Sequence, residues 1–444
     1  MSRKVFVSFL GTNNYLATNY YLGGQKVDGV RYIQEALARM FCADWEESDL
    51  VLIFCTDEAA KQNWEDKEHS KAESADQEGL QSRLQALKMQ GLLKAEVRMC
   101  LIPEGFTEAE IWDVFAVVYK QLHENDRVWL DITHAFRSIP LFMLVLLNYS
   151  QFLKQVQLEA IYYGAFEKLG PAYKVREMPL VERNAPVLDL HSFVALMDWT
   201  KAASDFVDFG NSKRLGVLAQ KSVSGVLRET RGKDSSAAAT RRLADALPSF
   251  TDKMLTNRGK DIFHGKELGV ILEALDQVEE VVSTPFRPLF ANIKKEMEVF
   301  REQSNVMNGF AAAYWCWKNN YLQQCITLLY ENSITWVCLR FDLDWEMQSK
   351  RVFISSALKC LSEKKDPLQF FKTEEALRDY EKLLTDEVFS NVGMAFERLR
   401  DLRNDINHAG VRFNAVKPST LRSAMESVML RVFAIVGYNT ESNN

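Results

Sequence analysis

The first part of the chain alternates short apolar runs with amphipathic stretches, and no other feature constrains the fold as strongly. Runs typical of buried strands occur at residues 4–10, 49–55, 96–102, 127–132 and 158–163. Apolar residues at helical spacing lie between them, at residues 30–41, 107–122 and 138–152. Thr107, followed three residues later by Glu110, is typical of a helix N-cap. Because strand and helix alternate at this pitch, the sequence predicts a parallel α/β sheet with helices on both faces.

After about residue 185 the pattern becomes helical. A proline-containing run at residues 179–190 is typical of a linker or of a last strand before a new unit. Helical spacing follows over residues 193–209, 237–247, 261–282, 309–339 and 419–436. A chain of 444 residues is also too long for one compact core. We therefore predict an α/β domain at residues 1–185 and an all-α domain at residues 186–444.

The composition excludes several classes of protein. With 47% hydrophobic and 26% charged residues, the chain is neither wholly disordered nor fibrous. The seven cysteines form no CxxC pair and no even framework, so we expect reduced core thiols and no metal site. The apolar N-terminal run is too short for a signal-peptide core, and the longest apolar run, residues 139–147, cannot span a bilayer. We expect a cytoplasmic protein that does not act at a membrane.

The net charge of −6 argues against a uniformly basic nucleic-acid binder. The charge is uneven, however, because residues 211–260 contain eleven basic and four acidic side chains, a local charge of +7. A basic block of this kind is either an ordinary solvated helical face or a surface that guides RNA. The composition is thus compatible with an acidic body that carries a basic patch.

Small polar residues follow the first predicted strand, in the segment Gly11, Thr12, Asn13 and Asn14. Ligands of open parallel sheets bind at the carboxyl ends of the strands, where such residues can approach phosphates or base edges. The segment is neither a Walker loop nor a GxGxxG fingerprint. It predicts a ligand loop, and the alternative is an ordinary turn at the end of a strand.

A second polar group stands at the end of the fourth predicted strand. It places a carboxylate, a hydroxyl, an imidazole and a guanidinium within seven residues, on Asp131, Thr133, His134 and Arg137. Arg137 could bind a phosphate through two hydrogen bonds. The position and density of these groups favour a ligand site over a helix cap beside a hydrogen-bonded histidine.

A third candidate lies near the C-terminus, in Arg403, Asn404 and His408. On a helix, Arg403 and His408 are a little more than one turn apart and could serve one phosphate. The chemistry would be metal-independent RNA cleavage, in which the 2′-hydroxyl attacks phosphorus, His408 assists proton transfer and Arg403 stabilises the developing charge. The alternative is an ordinary helix end at the protein surface. A second arginine–histidine pair, Arg258 and His264, is also a candidate.

Together these motifs resemble one family. GTNNY after the first strand, DITHAFRSIP at the fourth and RNDINH in the helical part are similar to the DxTHG-type CARF–HEPN proteins that accompany type III CRISPR systems. The resemblance spans nearly the whole chain, with CARF up to about residue 185 and HEPN beyond about residue 195, and DITHAFRSIP is its specific part. One departure is Ala135, which replaces the family's glycine after the histidine, and its Cβ restricts the approach of the backbone to a ligand.

The resemblance implies a function for each domain. The CARF domain would be a Rossmann-like sensor that dimerises and binds a cyclic oligoadenylate, and the HEPN domain would cleave RNA where two motif helices meet. Matched residue by residue, the family assigns ligand binding to Thr12, Asn13, Asn14, Asp131, Thr133 and His134. It assigns catalysis to Arg403, Asn404 and His408. Tyr15 and Phe136 could stack on bases or belong to the core.

The sequence therefore predicts a homodimeric, or larger, endoribonuclease of type III CRISPR antiviral defence. It would be activated allosterically by a cyclic oligoadenylate, need no cofactor or metal, and cleave single-stranded RNA. One alternative is a ligand-responsive regulator that binds nucleic acid without cleaving it. A further possibility is that the sensor domain slowly cleaves its own activator.

Overall fold

The protein is described here by a computed structural model, which covers residues 2–67, 78–134, 139–281, 284–411 and 415–440. It divides into two compact units, Met1–Ala195 and Leu196–Asn444. The division falls inside the helix His191–Phe209, later than the expected boundary at residues 185/186. Strand Asn184–Asp189 explains the difference, because it pairs within the sheet of the first unit. Ala135, Phe136 and Arg137 lie outside the described residues.

The first unit is built on one eight-stranded sheet of order β3-β2-β8-β7-β6-β1-β4-β5. Its strands are β1 (Lys4–Leu10), β2 (Thr18–Leu22), β3 (Gln25–Val30), β4 (Leu50–Cys55), β5 (Glu96–Leu101), β6 (Arg127–Asp131), β7 (Gln157–Gly164) and β8 (Asn184–Asp189). Five neighbouring strands of this sheet, β7, β6, β1, β4 and β5, are parallel to one another. β8 pairs antiparallel with β7 and parallel with β2. The predicted α/β unit with a mostly parallel sheet is confirmed.

Helices cover both faces of this sheet. They are α1 (Ile33–Phe41), α2 (Asp57–Ala59, continued by a π-helical turn Ala60–Trp64), α3 (Leu80–Met89), α4 (Glu108–Gln121), α5 (Ile139–Lys154) and α6 (Ala172–Glu177). Phe6 and Leu10 of β1 pack in a cluster with α1 and α3, whereas Val5, Val7 and Phe9 pack in a cluster with α4 and α5. Because side chains alternate across a strand, a strand between two helical layers must be apolar at nearly every position, as β1 is.

The hairpin of β2 and β3 was not predicted. Its two strands are joined by Gly23 and Gly24, and Gly23 has a φ of +55°. A Gly-Gly pair between two short runs is a recognised hairpin signal, because two-residue hairpin turns need left-handed backbone. The helical spacing predicted from residue 30 begins instead at Ile33, since Val30 ends β3.

The second unit is helical throughout its described residues. Its elements are α7 (His191–Phe209), α8 (Lys213–Glu229), α9 (Ser235–Leu255), α10 (Gly259–His264), α11 (Lys266–Val281), α12 (Arg287–Met297), α13 (Met307–Lys318), α14 (Leu322–Arg340), α15 (Gln348–Glu363), α16 (Glu374–Leu384), α17 (Glu387–Asn407) and α18 (Pro418–Val436). The predicted helical C-terminal region is confirmed, and one continuous buried cluster runs through it.

The single helix predicted over residues 309–339 is in fact two, α13 and α14. Asn320 is left-handed, with a φ of +63°. The amide N–H groups of Asn320 and Tyr321 donate to the carbonyls of Trp317 and Cys316 at 3.1 and 2.7 Å. This is a Schellman cap, in which asparagine can replace glycine at the left-handed position. The prediction failed because the apolar spacing continues through the break.

The seven cysteines are all unpaired, and six of them are buried. Among the described residues, no three His, Cys, Asp or Glu side chains are grouped so that they could hold a metal ion. No helix in the described part of the chain has both the length and the apolar character needed to cross a membrane.

Candidate ligand-binding and cleavage sites

The loops predicted to bind a ligand meet where the sheet changes direction. β1 has β4 on one side and β6 on the other, and the chain visits β4 and β5 before it returns to β6. In doubly wound sheets this switch point opens a crevice at the carboxyl ends of the two central strands. Gly11 follows β1 there, and Asp131 ends β6. The structure thus brings the first and second motifs together.

Asp131 is the centre of the second loop. It is fully buried, and its Oδ2 accepts a hydrogen bond of 2.7 Å from Ser8 of β1. Its Oδ1 accepts from the Thr133 amide at 2.9 Å and the Thr133 hydroxyl at 2.5 Å. Thr133 Oγ1 in turn accepts from the Gly164 amide at the end of β7, at 2.8 Å. Asp131 and Thr133 therefore join three neighbouring strands and fix the loop through contacts inside the protein.

Burial raises the pKa of the Asp131 carboxyl, and the hydrogen bonds from Thr133 and Ser8 act in the opposite direction. A carboxylate with three donors is the usual way to hold such a charge without water. Ser8 was not predicted as part of the site. Its signal is a hydroxyl in the strand KVFVSFL, whose other buried positions are all apolar.

The first loop is fixed by Tyr15 and Asn63. The Tyr15 hydroxyl accepts a hydrogen bond of 3.0 Å from the Gly11 amide. Asn63, in the π-helical turn, donates to the carbonyls of Gly11 and Asn13 at 2.8 and 3.0 Å. Asn63 was also missed, because it lies in a polar run that carries no spacing signal. Short π-helical turns of this kind are frequent at functional sites.

Gly11 allows the two loops to touch. A Cβ at this position would lie 2.9 Å from the Tyr15 hydroxyl and 3.4 Å from the His134 carbonyl. The Tyr15 and His134 rings are 4.1 Å apart between centroids. Beside this contact, Thr12 is half-buried, and Asn13 and Asn14 are exposed. The exposed groups are thus those a ligand could reach.

His134 is held as a neutral ring. Burial lowers its pKa to about 4, and its Nε2 atom is buried without a hydrogen-bond partner among the described residues. A neutral imidazole cannot attract a phosphate by charge, but its free nitrogen can bond to a base edge or a ribose hydroxyl. In this arrangement, however, Nε2 is buried out of reach of a ligand, so positive charge and exposed hydrogen-bonding groups must come from other residues of the crevice.

The low pKa of His134 predicts a pH-dependent loss of stability. As the pH falls below about 6.5, His134 of the unfolded chain takes up a proton, whereas the buried ring of the folded protein stays neutral until about pH 4. Over this pH range, we expect the contribution of His134 to the free energy of unfolding to decrease by about 3 kcal/mol in total. Urea unfolding of the wild type and of His134→Asn across this range measures it. Equal pH slopes for the two proteins would contradict the assignment.

The third motif lies at the end of α17. Arg403 is half-buried against α14, where its guanidinium carbon is 4.5 Å from the Tyr330 ring centroid and its Nη2 is 3.5 Å from Glu331 Oε1. The other Glu331 oxygen accepts from Arg351 at 2.8 Å. One carboxylate is thus shared by two arginines, which orients both of them.

His408 caps α17 and is exposed, and Asn404 is half-buried one turn earlier. The predicted helix is present, but no hydrogen bond joins Arg403 to His408 among the described residues. Five positions along a helix rotate a side chain by about 140°, so the two residues face different directions. The structure holds Arg403 in place and leaves His408 exposed to solvent.

The alternative pair is placed differently. Arg258 is exposed just before α10, and His264 ends that helix. His264 Nδ1 lies 3.0 Å from Ser304 Oγ, and its Nε2 lies 3.5 Å from Glu346 Oε1. Because both ring nitrogens face protein partners, His264 is less accessible to a substrate than His408.

The basic block forms a line along α8. Arg214, Lys221 and Arg228 are spaced by seven residues, close to two turns, and all three are exposed. The buried side of the same helix carries Leu215 and Ala219. We call the three basic residues the α8 stripe. Arg214 pairs with Asp205 at 3.2 Å, whereas Lys221 and Arg228 have no ion-pair partner among the described residues.

Known proteins resemble part of this chain. Residues 195–304, from α7 to just beyond α12, match the model of the second domain of the CRISPR-associated protein MJ1674. The CRISPR-associated protein MJ1674 of Methanocaldococcus jannaschii is 35% identical over 123 residues, which cover 27% of this chain and 18% of that protein. The family match includes the α8 stripe and lies outside both ligand loops and outside Arg403–His408. These similarities support a CRISPR-associated protein.

Proposed function

We propose that the protein is an endoribonuclease activated by a cyclic oligoadenylate, acting at least as a homodimer in type III CRISPR antiviral defence. The observation that carries the proposal is the meeting of two polar loops at the switch point, braced by Asp131. This is where doubly wound folds bind nucleotides. The similarity of residues 195–304 to a CRISPR-associated protein supports the same context.

The sensor would be a CARF domain. A cyclic oligoadenylate presents repeated phosphates and adenines, and a two-fold dimer offers each loop twice. Thr12, Asn13 and Asn14 present amide and hydroxyl groups at the crevice, and the His134 ring lies beside them against Tyr15. Arg137 is the candidate for a charged contact with phosphate.

The cleavage site would be a HEPN domain. The RNA 2′-oxygen attacks the adjacent phosphorus, the bond to the 5′-oxygen breaks, and a 2′,3′-cyclic phosphate forms. His408 would transfer the proton, Arg403 would stabilise the phosphorane charge, and Asn404 would orient the phosphate. The exposure of His408 and the anchoring of Arg403 fit a composite site completed by a second chain.

The direct test is an RNA cleavage assay. Labelled single-stranded RNA is incubated with the protein in EDTA, alone and with cyclic tri-, tetra- or hexa-adenylate. We expect one ring size to accelerate cleavage at least a hundred-fold and to yield cyclic-phosphate ends. Intact RNA with every ring, together with ligand-dependent RNA binding, would instead show a regulator that binds without cutting. The α8 stripe is the feature that favours this second function.

The α8 stripe predicts an electrostatic contribution to RNA binding. Replacing Lys221 and Arg228 by glutamate removes two unpaired cations, so affinity should fall at least ten-fold at low salt. The slope of log affinity against log salt should become shallower by about 0.7 for each RNA phosphate that the variant no longer neutralises. The matched control replaces Arg378 and Lys382, two exposed and ion-paired cations of α16, by glutamate. If both variants lost RNA affinity equally, the α8 stripe would be an ordinary solvated helix face and not an RNA-binding surface.

A further inference from the structure

The helical unit contains a cavity of about 300 Å³, which none of the three motifs explains. This volume is at the lower end of the range for small-molecule sites and suits one small planar group. Its walls are formed by α10 and the turn before it, the start of α13, the middle of α14, and the start of α15 with the segment before it. The aromatic, charged and unpartnered polar residues that line it are Asn257, Lys260, Phe263, Glu331, Trp345, Glu346 and Arg351.

Two aromatic rings form the apolar side of the cavity. The centroids of Phe263 and Trp345 are 4.5 Å apart, with their planes tilted by 43°. Both rings line the cavity, so a planar group bound there would contact them. Bases stack on aromatic side chains in most sites that bind single-stranded RNA.

The polar side of the cavity carries two carboxylates, on Glu331 and Glu346, and two cations, on Lys260 and Arg351. Asn257 Oδ1 is buried without a hydrogen-bond partner among the described residues. Glu346 carries a carboxylate whose pKa is held below its usual value by Lys260, which donates to it at 2.6 Å. Glu331 presents a second carboxylate. Lys260 is paired with Glu346, and Arg351 is paired with Glu331. The unpartnered acceptor Asn257 Oδ1 therefore favours a ligand that donates hydrogen bonds, such as a base with an exocyclic amino group.

Glu331 connects this cavity to the cleavage motif. It lines the cavity, and its carboxylate also contacts Arg403 at 3.5 Å. A base in the cavity would therefore be separated by the Glu331 side chain from Arg403, the arginine proposed to bind the phosphate. This arrangement matches the order of groups in a nucleotide, in which base and phosphate are separated by a ribose.

We propose that the cavity binds one nucleobase of the RNA substrate and sets the base preference beside the cleaved bond. Trp345 stacks on the base, and Asn257 and Glu331 accept hydrogen bonds from its amino group. The proposal rests on the ribonuclease function for its biological meaning, but base binding itself can be measured without cleavage. Adenine, cytosine and guanine carry the required amino group, and uracil does not.

Binding is tested with full-length protein that carries Arg403→Ala and His408→Ala, so that RNA stays intact. Affinities are measured for short oligonucleotides of A, C and U. We expect oligo-U to bind at least five-fold more weakly than the better of the other two. Trp345→Ala should weaken binding of the preferred oligonucleotide about ten-fold and remove the difference. Trp336→Ala is the matched control, because Trp336 is a half-buried tryptophan of α14 that does not line the cavity.

A second variant separates hydrogen bonding from stacking. Asn257 has a φ of +55°, so Asn257→Gly removes the acceptor without straining the backbone. It should reduce discrimination against oligo-U and leave oligo-U binding itself unchanged. Equal binding of all oligonucleotides, or equal effects of Trp345→Ala and Trp336→Ala, would overturn the proposal. Absence of cleavage by the unmutated protein would instead count against the ribonuclease function, whatever these affinities are.

Discussion

Replacing Arg403 and His408 together by alanine is expected to abolish activator-dependent RNA cleavage and to leave activator binding intact. Losing one stabiliser of transition-state charge or one proton-transfer group typically costs a hundred- to a thousand-fold in rate. The cleavage rate of the double variant should therefore be at least a thousand-fold lower than that of the wild type, at the background of the assay. Single-turnover cleavage and calorimetric titration of the cyclic oligoadenylate measure the two properties separately.

The control for this experiment is the other pair, Arg258 and His264. His264 is held by Ser304 and Glu346, so His264→Ala should change cleavage by less than ten-fold. If cleavage survives the loss of Arg403 and His408 but not that of His264, the cleavage site lies at α10. The same double variant also shows whether the sensor degrades its activator, since any slow loss of the ring must then come from the first unit.

Asp131→Ala is expected to uncouple cleavage from the activator and to destabilise the first unit. The substitution leaves the Ser8 hydroxyl and the Thr133 amide without their acceptor in a buried place, at a cost of about 3 kcal/mol. For a unit of this size the melting temperature should fall by roughly 6 to 12 °C. Because the loop after β6 loses its anchor, activator affinity should fall more than ten-fold.

Asp49 provides the matched control for Asp131. It is 5% exposed and accepts hydrogen bonds from the amides of Lys4 and Glu46 at 2.8 and 2.9 Å. It precedes β4, so it lies at the amino ends of the parallel strands, away from the crevice. Asp49→Ala should lower the melting temperature but keep the activator response. A missing response in both variants would mean that general instability, and not the loop, explains the effect.

Local sequence patterns were sufficient for the α/β unit and for most helices. Periodicity predicts β1, β4 and α4, and the Thr107 hydroxyl does cap α4 by accepting from the Glu110 amide at 3.2 Å. It did not predict the hairpin of β2 and β3, whose signal is only two glycines. It also could not detect the cap at Asn320, because a left-handed residue does not interrupt the apolar spacing.

The candidate sites, like the fold, were only partly predictable from the sequence. The segment after β1 and the one after β6 could be identified from residue types at the ends of strands. The partners that hold them could not, because Ser8 and Asn63 are distant in sequence from the residues they bond. The contact of Arg403 with Glu331 spans 72 positions and leaves no pattern along the chain. Sequence therefore indicates which residues carry chemistry, and the fold shows how they are held.

The bracing of the two loops by Asp131, Asn63 and Tyr15 has a kinetic consequence. A surface that is already ordered loses little conformational entropy when a ligand binds to it. Association through the braced residues should then be a single step, with no slow phase from ordering of the loop after β1. Rings of different size should differ mainly in their dissociation rates. Stopped-flow binding traces that are single exponentials, with rates linear in ligand concentration, would be the signature of this rigidity.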